Sequence, residues 1–474
     1  MDRKKFLQLA VLSNLGLLLP SQKVAATTIN ALSFTQTFNT GNVTYFKKGE
    51  EGYEKLRKGF NKRINKYPQV IALCYNTDGV AEAMQYAIKN QLPVAIKSGG
   101  HCMEGFSCNN DGMVINLSLL NDVKWVSKSI IKVGPACILS ALYNAILPKG
   151  KILPGGSCGS VGIGGLSLGG GYGLLSRQYG LACDSLLEVT MVDGKGNIIN
   201  SAVDDDLLWA CKGGGNGNFG AITEMKFKVH KAPALMKSFR FRAFKVNTGR
   251  AKDILKKWFE LSDNLPPTSF SAYVLNGKTL YILLTSTEKN IAGIKFFIDG
   301  ISALVDKTVV GKALPIATAL KAYYGIQHPV YFKNASAGLY KKFEDIESYI
   351  ADVMDIVTNT PGMIYQVNTL GGNIINNQFE KASAFPHRSY PYFSELQTYW
   401  DNEKQMPGLL NKFKDVQDIF IKNGINVQYR NYPDINFNNY NTLYYGNSYT
   451  KLQQIKNKYD PDNIISHEQS IKNA

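Results

Sequence analysis

The sequence is poor in the residues and spacings that mark metal and nucleic-acid sites. It has five histidines among 474 residues, and no two of its seven cysteines are spaced as Cys-x-x-Cys. His101 and Cys102 stand near Cys108 without a second ligand pair at zinc spacing, so no metal site is expected. The formal net charge is +16, yet no basic run exceeds three residues and no predicted helix carries an arginine stripe. Scattered charge of this kind argues against nucleic acid as a partner.

Near the N-terminus, the apolar segment from Phe6 to Leu19 is too short for a comfortable membrane span, so no stable membrane insertion is expected. It follows a basic start and precedes the small residues at 24–26, which is the layout of an export signal. Residues 3–7 (RKKFL) resemble a twin-arginine signal with lysine in second place. We therefore expect an export signal at 1–26 and a periplasmic or secreted protein, the alternative being a buried N-terminal helix. An exported protein tends to pair its cysteines, which leaves at least one of seven over.

Hydrophobic periodicity predicts an α+β fold of two domains. Strand-like and helix-like segments alternate from residue 68 to about 230, with Asp78 as the cap of the helix GVAEAMQYAIKNQ and LLEVTMVDGKGNIINS as a hairpin. Beyond Ala232-Pro233 the segments SFRFRAF, FSAYVLNGKTLYILLTS and MIYQVNTLGG predict an antiparallel sheet, backed by helices around 251–262, 344–358 and 408–423. The predicted divisions are 27–235 for the first domain, 236–428 for the second and 429–474 for a C-terminal segment returning to the first.

Two glycine-rich stretches mark the expected ligand site. A strand ends in VAIKSGGH, where the histidine is the first bulky side chain after Gly99 and Gly100, and ten of the nineteen residues from Gly155 to Gly173 are glycine. Each glycine costs about 0.5–1 kcal/mol of ordering relative to alanine, and backbone N–H groups close to a pyrophosphate would offset that cost. GNGNFG at 215–220 also matches G-x-G-x-x-G, but a helix precedes it and a strand follows it, so we reject a Rossmann site.

Several segments in the same order carry a family resemblance. KSGGHCMEGFS, GSCGSVGIGGLSLGGGYGLLSRQYGLACDSLLEVTMVDGKG, DDDLLWACKGGGNGNFGAITEMKFKV and YRNYPD with YYGNSYTKLQQIKNKYDPDNIISHEQSI resemble the berberine bridge enzyme-like flavoprotein oxidases of the vanillyl-alcohol oxidase superfamily. The resemblance runs from about residue 60 to the C-terminus. It implies a PCMH-type FAD-binding domain of two α+β subdomains at 27–235 and a substrate-binding domain at 236–428.

The resemblance also implies how FAD is held. In the family, the histidine after Gly-Gly is bonded to the 8α-methyl of FAD and the cysteine of the glycine run to C6, which here are His101 and Cys158. Cys158 is then the unpaired thiol, which leaves six cysteines. Lys97 and Cys102 depart from the arginine and the serine or threonine usual at their positions. The other positions assigned to the cofactor are Lys97, Ser98, Gly99, Gly100, Cys102, Gly155, Gly156, Ser157, Val161, Gly162, Gly164, Gly165, Gly169, Gly170, Gly171, Gly173, Gly220, Ile222, Tyr445 and Asn447.

The resemblance further implies a reaction. Val161, three residues after Cys158, matches a gatekeeper that goes with oxygen-reactive oxidases, so O2 is the expected acceptor and hydrogen peroxide a product. The base that takes the substrate's hydroxyl proton corresponds to Tyr429, with Tyr432 as the alternative. Gln366 and Asn368 stand where relatives place an acid that pairs with the tyrosine. The substrate is then a small alcohol, with a carbohydrate favoured. The alternatives are an oxidase or dehydrogenase of a secondary metabolite, and a non-catalytic flavin-carrying binding protein.

Overall fold

The structure, a computed structural model, describes residues 38–474, so the predicted export signal at 1–26 lies outside the described residues. The N-terminal half contains three small sheets. Its strands are β1 (Phe38–Asn39), β2 (Val43–Lys47), β3 (Val70–Cys74), β4 (Val94–Lys97), β5 (Met113–Asn116), β6 (Val123–Trp125), β7 (Ile130–Val133), β8 (Lys151–Ile152), β9 (Leu186–Asp193), β10 (Ile198–Asn200), β11 (Gly220–Lys228) and β12 (His230–Lys231). Its helices are α1 (Tyr53–Arg57), α2 (Thr77–Lys89), α3 (Leu139–Ile146), α4 (Ile163–Leu168), α5 (Ser176–Tyr179) and α6 (Asp205–Cys211).

The first sheet, in the order β1-β2-β3-β5-β4, becomes parallel where α2 connects β3 to β4. Helix α2 packs Val80, Ala83 and Ala87 against this sheet, as its periodicity predicts. It begins at Thr77, two residues earlier than expected, because Asn76, not Asp78, accepts a hydrogen bond from the Gly79 N–H and caps it. The expected helix cap at Asp78 is therefore wrong.

The second sheet, in the order β10-β9-β11-β7-β6, is antiparallel throughout and contains the predicted β9–β10 hairpin. Strand β11 begins at Gly220, and α6 lies before the GNGNFG segment. The glycines of that segment thus stand between a helix and a strand, as expected, which is the reverse of the order in a Rossmann site. Strands β8 and β12 form a two-stranded sheet of their own.

The second half is built on one eight-stranded sheet, in the order β16-β13-β15-β14-β19-β20-β18 with β17 paired to β13. Its strands are β13 (Leu235–Phe244), β14 (Ser269–Asn276), β15 (Thr279–Ser286), β16 (Lys307–Val310), β17 (Leu314–Pro315), β18 (Tyr331–Tyr340), β19 (Met363–Thr369) and β20 (Tyr392–Trp400). Its helices are α7 (Thr248–Ser262), α8 (Lys295–Ser302), α9 (Ile316–Lys321), α10 (Ile350–Asn359), α11 (Asn377–Lys381) and α12 (Met406–Lys422).

The two faces of this large sheet differ in character. Alternation along β19 sends Tyr365 and Val367 into an apolar core with α7, α10 and α12, while Gln366 and Asn368 lie on the opposite face. The helix-backed antiparallel sheet predicted for this part of the chain is confirmed. The polar face carries the buried carboxylate described below.

The C-terminal segment contains α13 (Tyr440–Tyr445) and α14 (Tyr449–Tyr459) and returns to the first sheet. The N–H of Val94 on β4 donates to the carbonyl of Ile464 at 2.7 Å, and Val94 also bridges to Ile465. The end of the chain thus lies beside the strand that leads to Gly99 and Gly100. The domain divisions at 235 and 428 stay predictions.

The cysteines do not form the disulfides expected of an exported protein. All seven are free thiols, and the five buried ones lie in four apolar cores, of which one contains both Cys137 and Cys211. The expected pairing is therefore wrong. Within residues 38–474, no helix is long and apolar enough to cross a membrane. No group of three or more His, Cys, Asp and Glu side chains in that range could hold a metal ion.

Candidate active site

A deep cavity lies where the two glycine-rich stretches meet the C-terminal segment. It encloses about 1230 Å³ of empty space, including the part open to solvent. The sequence-predicted residues on its wall are Ser98, Gly99, Gly100, His101, Cys102, Val161, Gly162, Gly164, Gly165, Gly220, Ile222 and Tyr432. Four segments thus converge on one site: the motif after β4, the glycine run, the start of β11 and the tail motif.

The loop after β4 forms an anion-binding cradle. Within the described residues, the backbone N–H groups from Gly99 to Cys102 donate to no protein acceptor. Gly100 has φ +70°, a conformation that favours glycine. Successive free N–H groups in such a turn form a concave nest for an anion. The nest fits the pyrophosphate of a dinucleotide.

Two further glycines leave room for a ligand beside the backbone. A Cβ added to Gly165 or Gly217 would meet no protein atom within 4 Å, although both residues line the cavity. By contrast, a Cβ on Gly99 would stand 2.7 Å from Gly162 Cα, so these two glycines hold the cavity's walls in close contact. The bare backbone thus serves packing at Gly99 and ligand approach at Gly165.

His101 is held against the glycine run. Its Nε2 lies 3.0 Å from Ser160 Oγ, and its ring stacks on Phe60 with centroids 3.9 Å apart. Burial lowers the pKa of the imidazole to about 3, so the ring is neutral and keeps a nitrogen lone pair. Ser160 is only two residues from Cys158, which brings the two predicted attachment residues to neighbouring parts of the site.

Cys158 begins a tight turn in which the Val161 N–H donates to the Cys158 carbonyl at 3.2 Å. Burial, followed by the negative charge of Glu395, raises the pKa of the thiol to about 11, against a hydrogen bond from Ser157 that lowers it. Burial and the nearby charges of Glu395 and Cys158 raise the pKa of Tyr432, which lines the cavity. The thiol therefore lies at the end of the site occupied by Glu395 and Tyr432.

Some predicted cofactor residues are not on the cavity wall. Lys97 faces away from it, and its Nζ donates to the carbonyls of Leu56 at 2.6 Å and Lys58 at 2.5 Å. Asn447 is exposed. Gly155, Gly156 and Ser157 line a second, smaller cavity, while Gly169, Gly170, Gly171 and Gly173 pack against protein atoms beneath the glycine run. Tyr445 is fully buried, and its hydroxyl accepts a hydrogen bond from Arg430 Nε at 2.7 Å.

Tyr429, the predicted base, is buried under the glycine run. Its hydroxyl oxygen accepts hydrogen bonds from the Gly171 N–H at 2.9 Å and from Asn431 Nδ2 at 3.0 Å. Burial raises the pKa of the phenol to about 12, although both hydrogen bonds act in the opposite direction because they stabilise the phenolate. Tyr429 itself does not line the cavity, whereas Tyr432 does. The Tyr429 ring contacts those of Tyr172 and Tyr432.

The structure adds a carboxylate that the sequence analysis did not include. Glu395 on β20 lies opposite Gln366 on β19, on the polar face of the large sheet. It accepts hydrogen bonds from Asn334 at 2.9 Å, Asn368 at 3.3 Å and the Tyr172 hydroxyl at 3.4 Å. Burial raises the pKa of this carboxyl to about 7, with the hydrogen bonds opposing the shift. A lone acid within the otherwise uncharged strand YFSELQTYW is the sequence signal that could have found it.

A directed chain of hydrogen bonds leads to Glu395. The Tyr399 hydroxyl donates to Gln397 at 2.9 Å, and the Gln397 amide donates to Gln366 at 3.3 Å. Gln366 then donates to Asn368 at 2.8 Å, and Asn368 donates to the carboxylate. Gln366 and Asn368 thus belong to the site as members of this chain, and the carboxylate they lack is supplied by the neighbouring strand.

Comparisons with known proteins agree with this geometry. A family model described as FAD binding domain matches residues 68–202, and one described as berberine and berberine like matches 428–472. The FAD-linked oxidoreductase YvdP of Bacillus subtilis (strain 168) is 30% identical over 457 residues, covering 91% of this chain and 98% of the relative. The chain belongs to the berberine bridge enzyme-like FAD-linked oxidoreductases.

Relatives of this family share its fold across kingdoms. Reticuline oxidase of Papaver somniferum is 25% identical, with 92% of this chain and 89% of the relative covered. A chitooligosaccharide oxidase superposes with a TM-score of 0.82 at 21% identity, covering 91% of this chain and 97% of the other. The protein is therefore an α+β, FAD-dependent oxidoreductase of the PCMH superfamily, and FAD is the ligand that the cradle and cavity accommodate.

Proposed function

We propose that this protein oxidises an alcohol carbon of a small hydroxylated substrate, with a carbohydrate as the favoured class. The observation that carries the proposal is the buried polar cluster around Glu395, where a carboxyl of pKa about 7 accepts hydrogen bonds from the Tyr172 hydroxyl and from the amides of Asn334 and Asn368. Amides and carboxylates in such a cluster hydrogen-bond to several hydroxyl groups at once. The chitooligosaccharide oxidase and the carbohydrate oxidase of Microdochium nivale, which share the fold, support this class.

Two residues of this chain hold FAD covalently in the proposal: His101 at the 8α-methyl and Cys158 at C6. The neutral imidazole supports the first linkage, because a bond to carbon requires a nitrogen lone pair. The contact of His101 with Ser160, two residues from Cys158, supports the placement of both residues at one ring system. Gly99 to Cys102 bind the diphosphate through their N–H groups. When bound, FAD supplies the hydride acceptor, and its reoxidation by O2 gives hydrogen peroxide.

Proton removal is the task of the tyrosines and Glu395. Tyr429 takes the proton from the substrate hydroxyl as its own phenol proton passes to the carboxylate of Glu395, and the charge that develops on the phenol oxygen is stabilised by the Gly171 N–H and Asn431. Glu395, which accepts a hydrogen bond from the Tyr172 hydroxyl, is the group whose ionisation near pH 7 allows the site to accept that proton. Tyr432, on the cavity wall and in contact with both other tyrosines, orients the substrate.

Val161 controls access to the flavin in this proposal. It lines the cavity, and its N–H and carbonyl are fixed by hydrogen bonds to Cys158 and Leu139. A short β-branched side chain at this fixed position leaves more room for O2 than a leucine does. We therefore propose that O2 is the electron acceptor.

A substrate panel tests the proposal. Sugars, oligosaccharides, aromatic alcohols and alkaloids are mixed with the protein without oxygen, and loss of the oxidised flavin absorbance is followed. We expect bleaching by carbohydrates and peroxide release on admission of air. Bleaching only by aromatic or alkaloid alcohols would replace the substrate class with a secondary metabolite. Bleaching without peroxide would indicate a dehydrogenase, and no bleaching by any compound would indicate a flavin-carrying binding protein.

A further inference from the structure

One buried cation on the cavity wall has no anionic partner. Arg430 is 4% exposed, and within residues 38–474 no carboxylate forms a salt bridge with it. Its Nε donates to the Tyr445 hydroxyl at 2.7 Å, which leaves the other guanidinium N–H groups to be satisfied. A guanidinium enclosed in protein without an anion is costly, so its free donors point to a ligand.

Other buried cations among the described residues are paired with carboxylate or carbonyl oxygen atoms. Arg388 meets the carboxylate of Asp184 at 2.6 Å, and Lys333 meets Glu104 and Asp434, each at 2.8 Å. Arg430 therefore differs from them, and the difference is found at the cavity.

His467 adds a second donor beside this guanidinium. Its Nδ1 accepts a hydrogen bond from the Gln469 N–H at 3.2 Å, and because this contact is shorter than that of Nε2 with Arg430, we assign the proton of the neutral ring to Nε2. That Nε2 lies 3.5 Å from Arg430 Nη2, and both residues line the cavity. Two donors thus face each other with no acceptor between them. One anionic oxygen approaching from the cavity would accept from both.

The anion is identified by the chemistry of the bound cofactor and by the neighbours of Arg430. Cys102, the last residue of the N–H cradle, lies close enough to interact electrostatically with the guanidinium. Phe106, whose N–H donates to Cys102 Sγ at 3.3 Å, stacks on the His467 ring with centroids 4.4 Å apart. The cradle and the two donors therefore converge on one region of the cavity. The diphosphate is the anionic group of FAD.

We propose that Arg430 and the Nε2–H of His467 bind the diphosphate of FAD, as a charged clamp opposite the backbone cradle of Gly99 to Cys102. The clamp is a second means of holding this anion, which the sequence analysis expected to be held by backbone N–H groups alone. The inference rests on FAD as the cofactor and not on its covalent attachment.

The test uses the full chain with His101→Ala and Cys158→Ala, which removes both proposed linkages and allows the flavin to be exchanged. FAD, FMN and riboflavin are titrated into the flavin-free protein, and quenching of flavin fluorescence gives each affinity. Arg430→Gln should weaken FAD binding roughly ten- to hundredfold and leave riboflavin binding unchanged, since riboflavin carries no phosphate. His467→Leu should weaken FAD binding in the same selective way by a smaller factor.

Lys66→Gln is the matched control, because Lys66 pairs with Glu468 next to His467 but does not line the cavity. It should leave both affinities unchanged. Arg430→Lys, which keeps the charge, provides a second variant if Arg430→Gln does not fold, and it should also lose FAD affinity selectively. Equal losses of FAD and riboflavin would show a packing effect and overturn the proposal. Unchanged affinities for both flavins would also overturn the proposal. This holds even if inorganic phosphate alone raises the melting temperature of the wild type and not that of Arg430→Gln.

Failure of the covalent proposal is recognised separately. In that case the wild-type protein releases its flavin on denaturation, while the comparison of FAD with riboflavin still reports on Arg430.

Discussion

Glu395 on β20 stands opposite Gln366 on β19, and Asn368 joins the two side chains by accepting a hydrogen bond from Gln366 and donating one to Glu395. The Glu395 carboxyl thus lies at the end of a chain of hydrogen-bonded side-chain amides on the sheet. Its ionisation gives the first prediction.

The rate of flavin reduction should depend on the ionisation of Glu395. Because the site accepts a proton only when this carboxyl is deprotonated, kcat/KM should fall as the pH drops through about 7. Glu395→Gln should lower the rate by roughly 10²–10⁴ and remove the dependence on pH in this range. Stopped-flow reduction without oxygen at pH 5–9 measures both effects. A pH profile identical to that of the wild type would exclude Glu395 as the titrating group.

The same variant should be more stable at alkaline pH. A carboxyl whose pKa is raised by folding stabilises the folded state at low pH, and this contribution is lost as the pH rises from about 4.5 through 7. Glu395→Gln should therefore melt at a higher temperature than the wild type at pH 8, with a smaller difference at pH 5. Calorimetry of the two proteins at both pH values provides the measurement.

Tyr429→Phe should slow flavin reduction by orders of magnitude while the flavin stays bound. The variant lacks the phenol oxygen, which is the proposed proton acceptor. In the wild type this oxygen accepts hydrogen bonds from the Gly171 N–H and from Asn431. An unsatisfied Gly171 N–H should also cost about 1–3 kcal/mol of stability. Tyr432→Phe is the matched control and should have the smaller effect on reduction. Near-normal reduction in Tyr429→Phe would assign the proton transfer elsewhere.

Either His101 or Cys158 alone should be sufficient to keep the flavin attached to the polypeptide. After denaturation in SDS, the wild type and each single variant, His101→Ala or Cys158→Ala, should keep flavin on the polypeptide, because one linkage remains in each. The double variant should release all of its flavin. Mass spectrometry of the intact chain and of the flavin peptides counts the linkages. Release from the wild type would rule out both bonds.

Gly99→Ala and Gly165→Ala should separate packing from ligand binding. A Cβ on Gly99 stands 2.7 Å from Gly162 Cα, so this variant should destabilise the flavin-free protein by roughly 1–3 kcal/mol. A Cβ on Gly165 meets no protein atom within 4 Å, and alanine is favourable within α4. That variant should fold normally but bind FAD less tightly, since its methyl group enters the cavity. Melting temperatures and flavin content distinguish the two cases.

Lys333→Met should be strongly destabilising. Lys333 on β18 joins Glu104, in the loop after His101, to Asp434 of the tail motif, and the three side chains are nearly inaccessible. Removing the ammonium group leaves the carboxylates of Glu104 and Asp434 buried without this partner, which costs about 3–5 kcal/mol of stability. Denaturant unfolding measures the loss. The exposed pair Lys414–Asp418 offers a control, since Lys414→Met should leave the unfolding midpoint unchanged.

The parts of the structure that the sequence predicted are those with local signals. Alternation and helical periodicity located β19 and α2, and the glycines before His101 and around Cys158 located the cofactor cradle. These signals are contained in a few consecutive residues, because backbone approach to a ligand requires glycine at particular positions. The cap of α2 was misplaced by two residues, since Asn76 and Asp78 are both good capping residues.

The parts that the sequence did not predict depend on pairing between distant segments. Glu395 reaches the site because β20 pairs with β19 in a register that no local pattern specifies. All seven thiols are free, although Cys137 and Cys211 share one core, and the number of cysteines does not reveal this. In the sequence, nothing distinguishes Arg430 from other basic residues, because its burial and its position beside His467 depend on the fold.

The return of the C-terminal segment to β4 has a consequence for biosynthesis. The Val94–Ile464 hydrogen bond places His467 on the same wall as the loop that follows β4, so residues far apart in the sequence complete this wall together. A chain synthesised only as far as residue 430 has its glycine loops but not this wall. A polypeptide terminated shortly before residue 467 should therefore retain less flavin than the full chain.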